Sequence, residues 1–137
     1  MPAATTPIFV EAVDTGVAKF VNADGTTPKA IVTAGADGAR VFSVSVATDD
    51  TAAIDYSLYI QRNGAGDNNL LGTKSVPAGS GNANATPAID LLDPAFIKGL
   101  DSDGSIILGS TDVLLVAPRT AVTAAKTTYV LSSFGDY

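Results

Sequence analysis

Apolar and polar residues alternate with a period of two along much of this chain, most clearly between Arg40 and Arg62. In the first flank Phe42, Val44 and Val46 fall on one face, with Ser43 and Ser45 on the other. In the second, Ile54, Tyr56, Leu58 and Ile60 share a face, opposite Asp55, Ser57, Tyr59 and Gln61. A period of two carried by β-branched and aromatic residues marks a half-buried strand. The link Thr48-Asp-Asp-Thr-Ala-Ala53 is polar and reads as a solvated turn. The pattern predicts a long antiparallel hairpin, the central pair of one sheet, with Phe42, Val44, Val46, Ile54, Tyr56, Leu58 and Ile60 in the core.

The rest of the chain speaks the same language. Ile8–Val13 reads as a first strand, Asp14-Thr-Gly16 as a turn and Val17–Val21 as a second strand. Asp24-Gly25 is a strong turn signal, because glycine accepts the positive φ that tight turns require. Lys29–Ala34 is a third strand, closed by a turn at Gly35-Ala-Asp-Gly38. Residues Asn63–Asn69 hold no large side chain and form a loop. Leu70–Val76 is the next strand, ended by Pro77-Ala-Gly79, and Ala88–Leu92 leads into the single helical signal. There, Asp93 suits an N-cap and Pro94 the first helical position, while Lys98 and Gly99 suit the end, so a turn or two of helix is expected near 93–99. Ser105–Leu108 and Thr127–Phe134 read as strands, and Asp112–Ala117 lacks alternation, so it should be covered on both faces. Eight to ten short strands with frequent turns predict an all-β protein, an antiparallel β-sandwich of jelly-roll-like or Ig-like kind. The division expected is an extended N-terminal arm over residues 1–7 and a single sandwich domain over 8–137.

Composition narrows the function classes. Of 137 residues, 46% are apolar and only 16% charged, against about a quarter in typical soluble domains. The net charge is −6, and the basic residues are scattered, so nucleic acid is not an expected partner. Histidine and cysteine are both absent, which removes the commonest general base, the commonest metal ligand and all thiolate chemistry. No activated nucleophile is recognisable, so the chain is not read as an enzyme, and no cofactor is expected. Residues 1–7 show no basic region followed by an apolar core, so they do not read as a secretory signal, and no apolar run is long enough to span a membrane.

Four local patterns invite a chemical reading and are better explained otherwise. Asp101-Ser-Asp103-Gly104 resembles the centre of a calcium loop, but an EF-hand would need acidic residues where Gly99 and Ser110 stand. Asp49-Asp50 reads as a turn rather than a cation site. Asn63-Gly-Ala-Gly66 matches neither the dinucleotide fingerprint nor the phosphate loop. Asn84-Ala-Thr86 would accept a glycan only in a eukaryotic secretory pathway. Tyr59 is the one aromatic expected to face outward from a strand, and a single exposed tyrosine suits an interface better than a sugar platform.

At Ala47-Thr-Asp-Asp-Thr-Ala-Ala-Ile-Asp-Tyr-Ser-Leu-Tyr-Ile60, followed by Leu71-Gly-Thr-Lys-Ser-Val-Pro-Ala-Gly79, the chain resembles the small β-sandwich decoration, or cement, proteins of tailed-bacteriophage capsids and related virion accessory proteins. The resemblance covers roughly the middle quarter of the chain and contains no catalytic motif. It implies a protein of the virion, placed on the capsid surface after assembly in the host cytoplasm. Its implied partner is the major capsid protein, and it often forms a homo-oligomer, with a trimer favoured. The expected contacts are the arm (Pro2, Thr5, Thr6, Pro7), the tip at Asp49 and Asp50, Tyr59, and the loop at Asn63, Asp67 and Asn68. A phage spike, fibre or host-attachment domain is the alternative, and a carbohydrate-binding module a second one.

Overall fold

The computed structural model describes residues 12–82 and 86–137. Nine strands run in chain order: β1 (Ala12–Val21), β2 (Lys29–Thr33), β3 (Ala39–Thr48), β4 (Ile54–Gln61), β5 (Asn69–Val76), β6 (Ile89–Asp90), β7 (Ile106–Leu108), β8 (Val113–Pro118) and β9 (Thr127–Asp136). They form two sheets. In sheet A the order is β1-β9-β3-β6, with β7 also on β3; in sheet B it is β2-β8-β4-β5. Every described pairing between strands is antiparallel. The fold is the all-β sandwich that the alternation predicts.

The hairpin expected across Arg40–Arg62 does not exist. β3 lies in sheet A and β4 in sheet B, so the link at residues 49–53 is an arch between the sheets. Asp50 explains the difference. Its side chain is only 1% exposed and accepts hydrogen bonds from the Ala52 N–H (3.0 Å), the Thr123 N–H (2.9 Å) and the Thr123 hydroxyl (2.7 Å). Its carbonyl accepts from the Gly79 N–H at 3.0 Å. An arch that buries its carboxylate against a loop 73 residues away cannot also close a tight turn.

The core fills the space between the sheets. Phe20 of β1 and Tyr56 of β4 meet edge-on across it, ring centroids 6.2 Å apart. Val44, Val46, Ile54, Tyr56 and Leu58 are buried as the alternation requires, and Ile60 packs half-buried against them. Phe42 is not. A bulge between Val41 and Ser43 in the β3–β9 register turns Val41 inward and leaves Phe42 44% exposed on the outer side of sheet A. β8 buries Val113, Leu114, Val116 and Ala117 in succession, as a run without alternation requires.

Two further expectations change for steric reasons. Asp14-Thr-Gly16 is not a turn, because β1 runs through it without interruption. Gly16 is needed there: a Cβ would stand 1.7 Å from the Ile31 carbonyl oxygen, where sheet A meets sheet B. Ser132 fastens the same junction, its hydroxyl 3.2 Å from the Gly16 oxygen and 3.1 Å from that of Ile31. The helical signal at 93–99 closes only one turn. Asp93 caps it by accepting the Ala95 N–H, but Ile97 then bridges to Gly72, and the Lys98 N–H bonds to the Leu71 carbonyl of β5. Pairing with the sheet edge leaves it a turn, and no helix forms at 93–99. The arm at 1–7, the beginning of the expected first strand at 8–11 and most of Asn84-Ala-Thr86 lie outside the described residues.

A chain of buried hydroxyls joins the sheets near the arch. Tyr56 of sheet B donates to the Thr128 hydroxyl at 2.7 Å, and Thr128 and Thr48, both of sheet A, are 3.0 Å apart. The Thr48 oxygen accepts the Asp50 N–H at 3.0 Å, so the relay continues into the arch.

Candidate functional site

Strand direction sorts the expected contact residues to opposite ends of the sandwich. The arch with Asp49 and Asp50 lies at one end, beside the end of β3 and the start of β9. There Asp49 is occupied in accepting the Thr127 N–H at 2.8 Å. Asp50, being buried, presents nothing to a partner and drops out of the contact set. Asn63, Asp67 and Asn68 lie at the other end, in the exposed loop between β4 and β5, with Tyr59 two residues inside β4. β1 also begins at that end, since Ala12 pairs with Asp136 at the close of β9. The structure therefore brings the loop, Tyr59 and the start of β1 to one end. Pro2, Thr5, Thr6 and Pro7 lie outside the described residues.

This loop end is built around Asp112, which the sequence reading took only as the start of a strand. Asp112 is 3% exposed. One carboxylate oxygen accepts from the Asn63 N–H at 3.1 Å and from Arg62 Nε at 3.2 Å, and the other from the Gly109 N–H at 3.0 Å. Its carbonyl accepts the Ala34 N–H at 2.9 Å. The buried carboxylate thus ties the loop after β4 to the loop before β8, and the backbone of the same residue ties in the link after β2.

Backbone strain is stored beside it. Asn63 and Thr111 both have positive φ, 55° and 56°. Asparagine tolerates this region, but a β-branched residue there is a genuine outlier. The two are bonded to each other, Thr111 Oγ1 donating to Asn63 Oδ1 at 3.2 Å, and the Thr111 N–H donates to the Gly35 carbonyl at 3.0 Å. Such residues cost about 1–3 kcal/mol each and persist where the surroundings over-determine them. The base of the loop is therefore tied down at Asn63, and Asn63 and Asn68 carry exposed amides.

At the same end, Arg40 organises the Asp101–Gly104 turn. Its guanidinium reaches Asp103 Oδ2 at 2.9 Å, the Ser105 hydroxyl at 3.0 Å and Asp101 Oδ2 at 3.4 Å, while Nε donates to Tyr137 Oη at 3.1 Å. The bond to Tyr137 and the two aspartates hold the guanidinium pKa above its ordinary value. The Asp103 carboxyl lies below the usual range, chiefly because the Ser105 hydroxyl and N–H donate to it. These carboxylates hold a cation of the chain itself, and among the described residues no group of three potential metal ligands converges.

Tyr59 is half-buried on the outer side of sheet B, with Arg119 Nη1 3.4 Å from its hydroxyl. Among the described residues the exposed aromatics are others: Phe42 at the bulge, Phe96 in the capped turn and Tyr129 on β9. Tyr129 and Leu131 alternate with buried Val130, so their outward phase was present in the sequence. Phe42 could be found only by noticing that Ala39 and Val41 alternate in the opposite phase to Val44 and Val46.

No family model matches the chain, and no curated protein matches it. Among solved structures, a chain of the acidic stable capsid structure of Helicobacter pylori bacteriophage KHP30 is similar over 93% of this chain and 90% of that one, with a TM-score of 0.49 and 14% identity. At this level the likeness says nothing of what the present chain does. No helix among the described residues is long and apolar enough to cross a membrane.

Proposed function

We propose that the protein is a structural component of a bacteriophage particle, a decoration protein that binds the shell of major capsid protein by non-covalent contacts. The observation that carries this reading is the strained, rigid loop end. Asn63 and Thr111, both left-handed, are bonded to one another over a buried Asp112. A loop held this way loses little entropy on binding, which suits lasting contact with a fixed surface. The exposed side chains of Asn63, Asp67 and Asn68 supply hydrogen-bonding groups there, and β1 starts at the same end. The sandwich that the resemblance at 47–60 and 71–79 implies is the fold that presents this end. On this reading the loop end faces the shell and the arch end faces away.

The test is co-sedimentation of the purified chain with particles of the encoding phage that lack it. The parent chain binds. A variant combining Asn63→Gly, which keeps the left-handed backbone, with Asp67→Ala and Asn68→Ala binds at least about tenfold more weakly, with a melting temperature lowered only by the loss of the exposed Asn63–Thr111 bond. Failure of the parent chain to bind would remove the shell as partner; undiminished binding by the variant would remove the loop as the contact.

A further inference from the structure

The outer face of sheet A is the largest concentration of exposed apolar side chains among the described residues. Of the eight large hydrophobic residues exposed there, six lie on it: Val13, Val17, Phe42, Ile107, Tyr129 and Leu131. The registers set them in rows. Val17 pairs with Leu131, which pairs with Ser45; Lys19 pairs with Tyr129, which pairs with Ala47. Thr15, Ser133 and Ser43 continue the face with small side chains. Val13, Val17, Tyr129 and Leu131 are 77%, 73%, 58% and 45% exposed. Exposed patches of this kind on a soluble domain mark an interaction surface.

We propose that this face binds the same face of a second copy of the chain, about a twofold axis near Val17 and Leu131. Charge selects that occupant. The chain carries a net charge of −6, so two copies repel over most of their surfaces. On the three adjacent strands β1, β9 and β3, however, no carboxylate takes an outward position. Asp14 and Asp136 fall in the opposite phase of the pleat. The cations on the face are Lys19 and Arg40, and Arg40 is already bonded to Asp101 and Asp103. Asp90 of β6, which pairs with Ser45, and Asp49, just past the end of β3, flank this face, so two identical acidic molecules meet over β1 and β9 with carboxylates only at the rim.

Area agrees. The β1–β9 register spans ten residues. Three strands of that length project roughly 450 Å², and side-chain relief raises this toward the ~600 Å² per partner at the lower end of specific interfaces. Contact is face to face rather than edge to edge, because the β1 edge is blunted: Lys29 Nζ donates to the Lys19 carbonyl at 2.5 Å, and the Ser132 hydroxyl donates to that of Gly16. Such a contact is isologous and closes as a dimer.

The absence of cysteine allows a direct test on the full chain. Sedimentation equilibrium of the parent reads a monomer–dimer equilibrium. Combining Val17→Lys with Leu131→Lys weakens it by about 100-fold; the two lysines face each other across β1 and β9, so the melting temperature falls somewhat while circular dichroism shows the fold kept. A bis-maleimide of about 10 Å, the spacing of packed sheets, joins two chains carrying Val17→Cys but not two carrying Leu70→Cys, an exposed position on β5. A monomer at every concentration, a trimer, a dimer indifferent to the lysines, or cross-linking at position 70 alone would each overturn the proposal. So would protection of Val17→Cys from maleimide in a monomer, which would show the face covered by its own chain. Shell binding is read separately. A dimer that binds no shell refutes only the proposed function, and a monomer that binds shells refutes only this interface.

Discussion

Replacing Asp50 tests the arch that joins the two sheets. Asp50→Ala removes three hydrogen bonds to a buried carboxylate, from the Ala52 N–H, the Thr123 N–H and the Thr123 hydroxyl. A hydrogen bond to a charged group contributes about 1.5–3 kcal/mol, such terms do not add fully, and the orphaned donors incur a further penalty. The expected loss is about 3–5 kcal/mol, a large part of the stability of a typical domain. At this chain length that lowers the melting temperature by roughly 10–20 °C. Asp50→Asn keeps the shape but only one accepting oxygen, so its loss is about 2 kcal/mol. Urea denaturation followed by circular dichroism reads both, and a double-mutant cycle with Thr123→Ala gives a coupling of about 1 kcal/mol. Acid adds an independent readout. Burial pushes the Asp50 carboxyl up, but the bonds from Thr123, Ala52 and Thr51 outweigh it, so its folded pKa lies below the ordinary value. A depressed pKa means stability that is complete above the unfolded value near 3.9 and is lost as pH falls through the folded value. The parent therefore loses stability as pH drops below about 4, and Asp50→Asn flattens part of that slope. An Asp50→Ala chain within about 0.5 kcal/mol of the parent, or a cycle without coupling, would refute the reasoning.

Other substitutions probe the remaining joints. Gly16→Ala forces a Cβ against the Ile31 carbonyl and should destabilise by about 3 kcal/mol or more, whereas Gly35→Ala, whose Cβ meets nothing closer than 3.6 Å, should be nearly neutral in thermal melts. Val41→Ala should cost about 2 kcal/mol, and Phe42→Ser less than about 0.5 kcal/mol; the reverse order in denaturant titrations would remove the bulge. Tyr56→Phe deprives Thr128 of its donor and should cost about 1 kcal/mol by the same titration.

Strand existence was legible in this sequence because alternation is local; sheet membership was not, because it is decided at a distance. Nothing between Thr48 and Ile54 signals that Asp50 will be bound by Thr123. A polar link with two aspartates reads as a solvated turn until the loop that buries it is in place. Gly16 carried a real signal that was assigned to the wrong cause. Glycine marks turns, but it also marks close approach of another backbone, and only the neighbouring sheet distinguishes the two. The capping chemistry of Asp93 was legible, while pairing of Ile97 with Gly72 leaves a turn where a helix was expected. At the loop end, Asn63, Asp67 and Asn68 were visible as an exposed loop. Nothing local marks Asp112, because the loop after β4 reaches it only in the folded sandwich.

The central claim concerns where the sandwich sits, and electron cryomicroscopy of the mature particle addresses it most directly. Density for the two-sheet sandwich is expected on the outside of the shell, with the loop of Asn63–Asn68 and the start of β1 against the capsid protein and the arch of Asp50 pointing away. Sandwich density found only in a tail fibre or spike, or seated on the shell by its arch end, would contradict it.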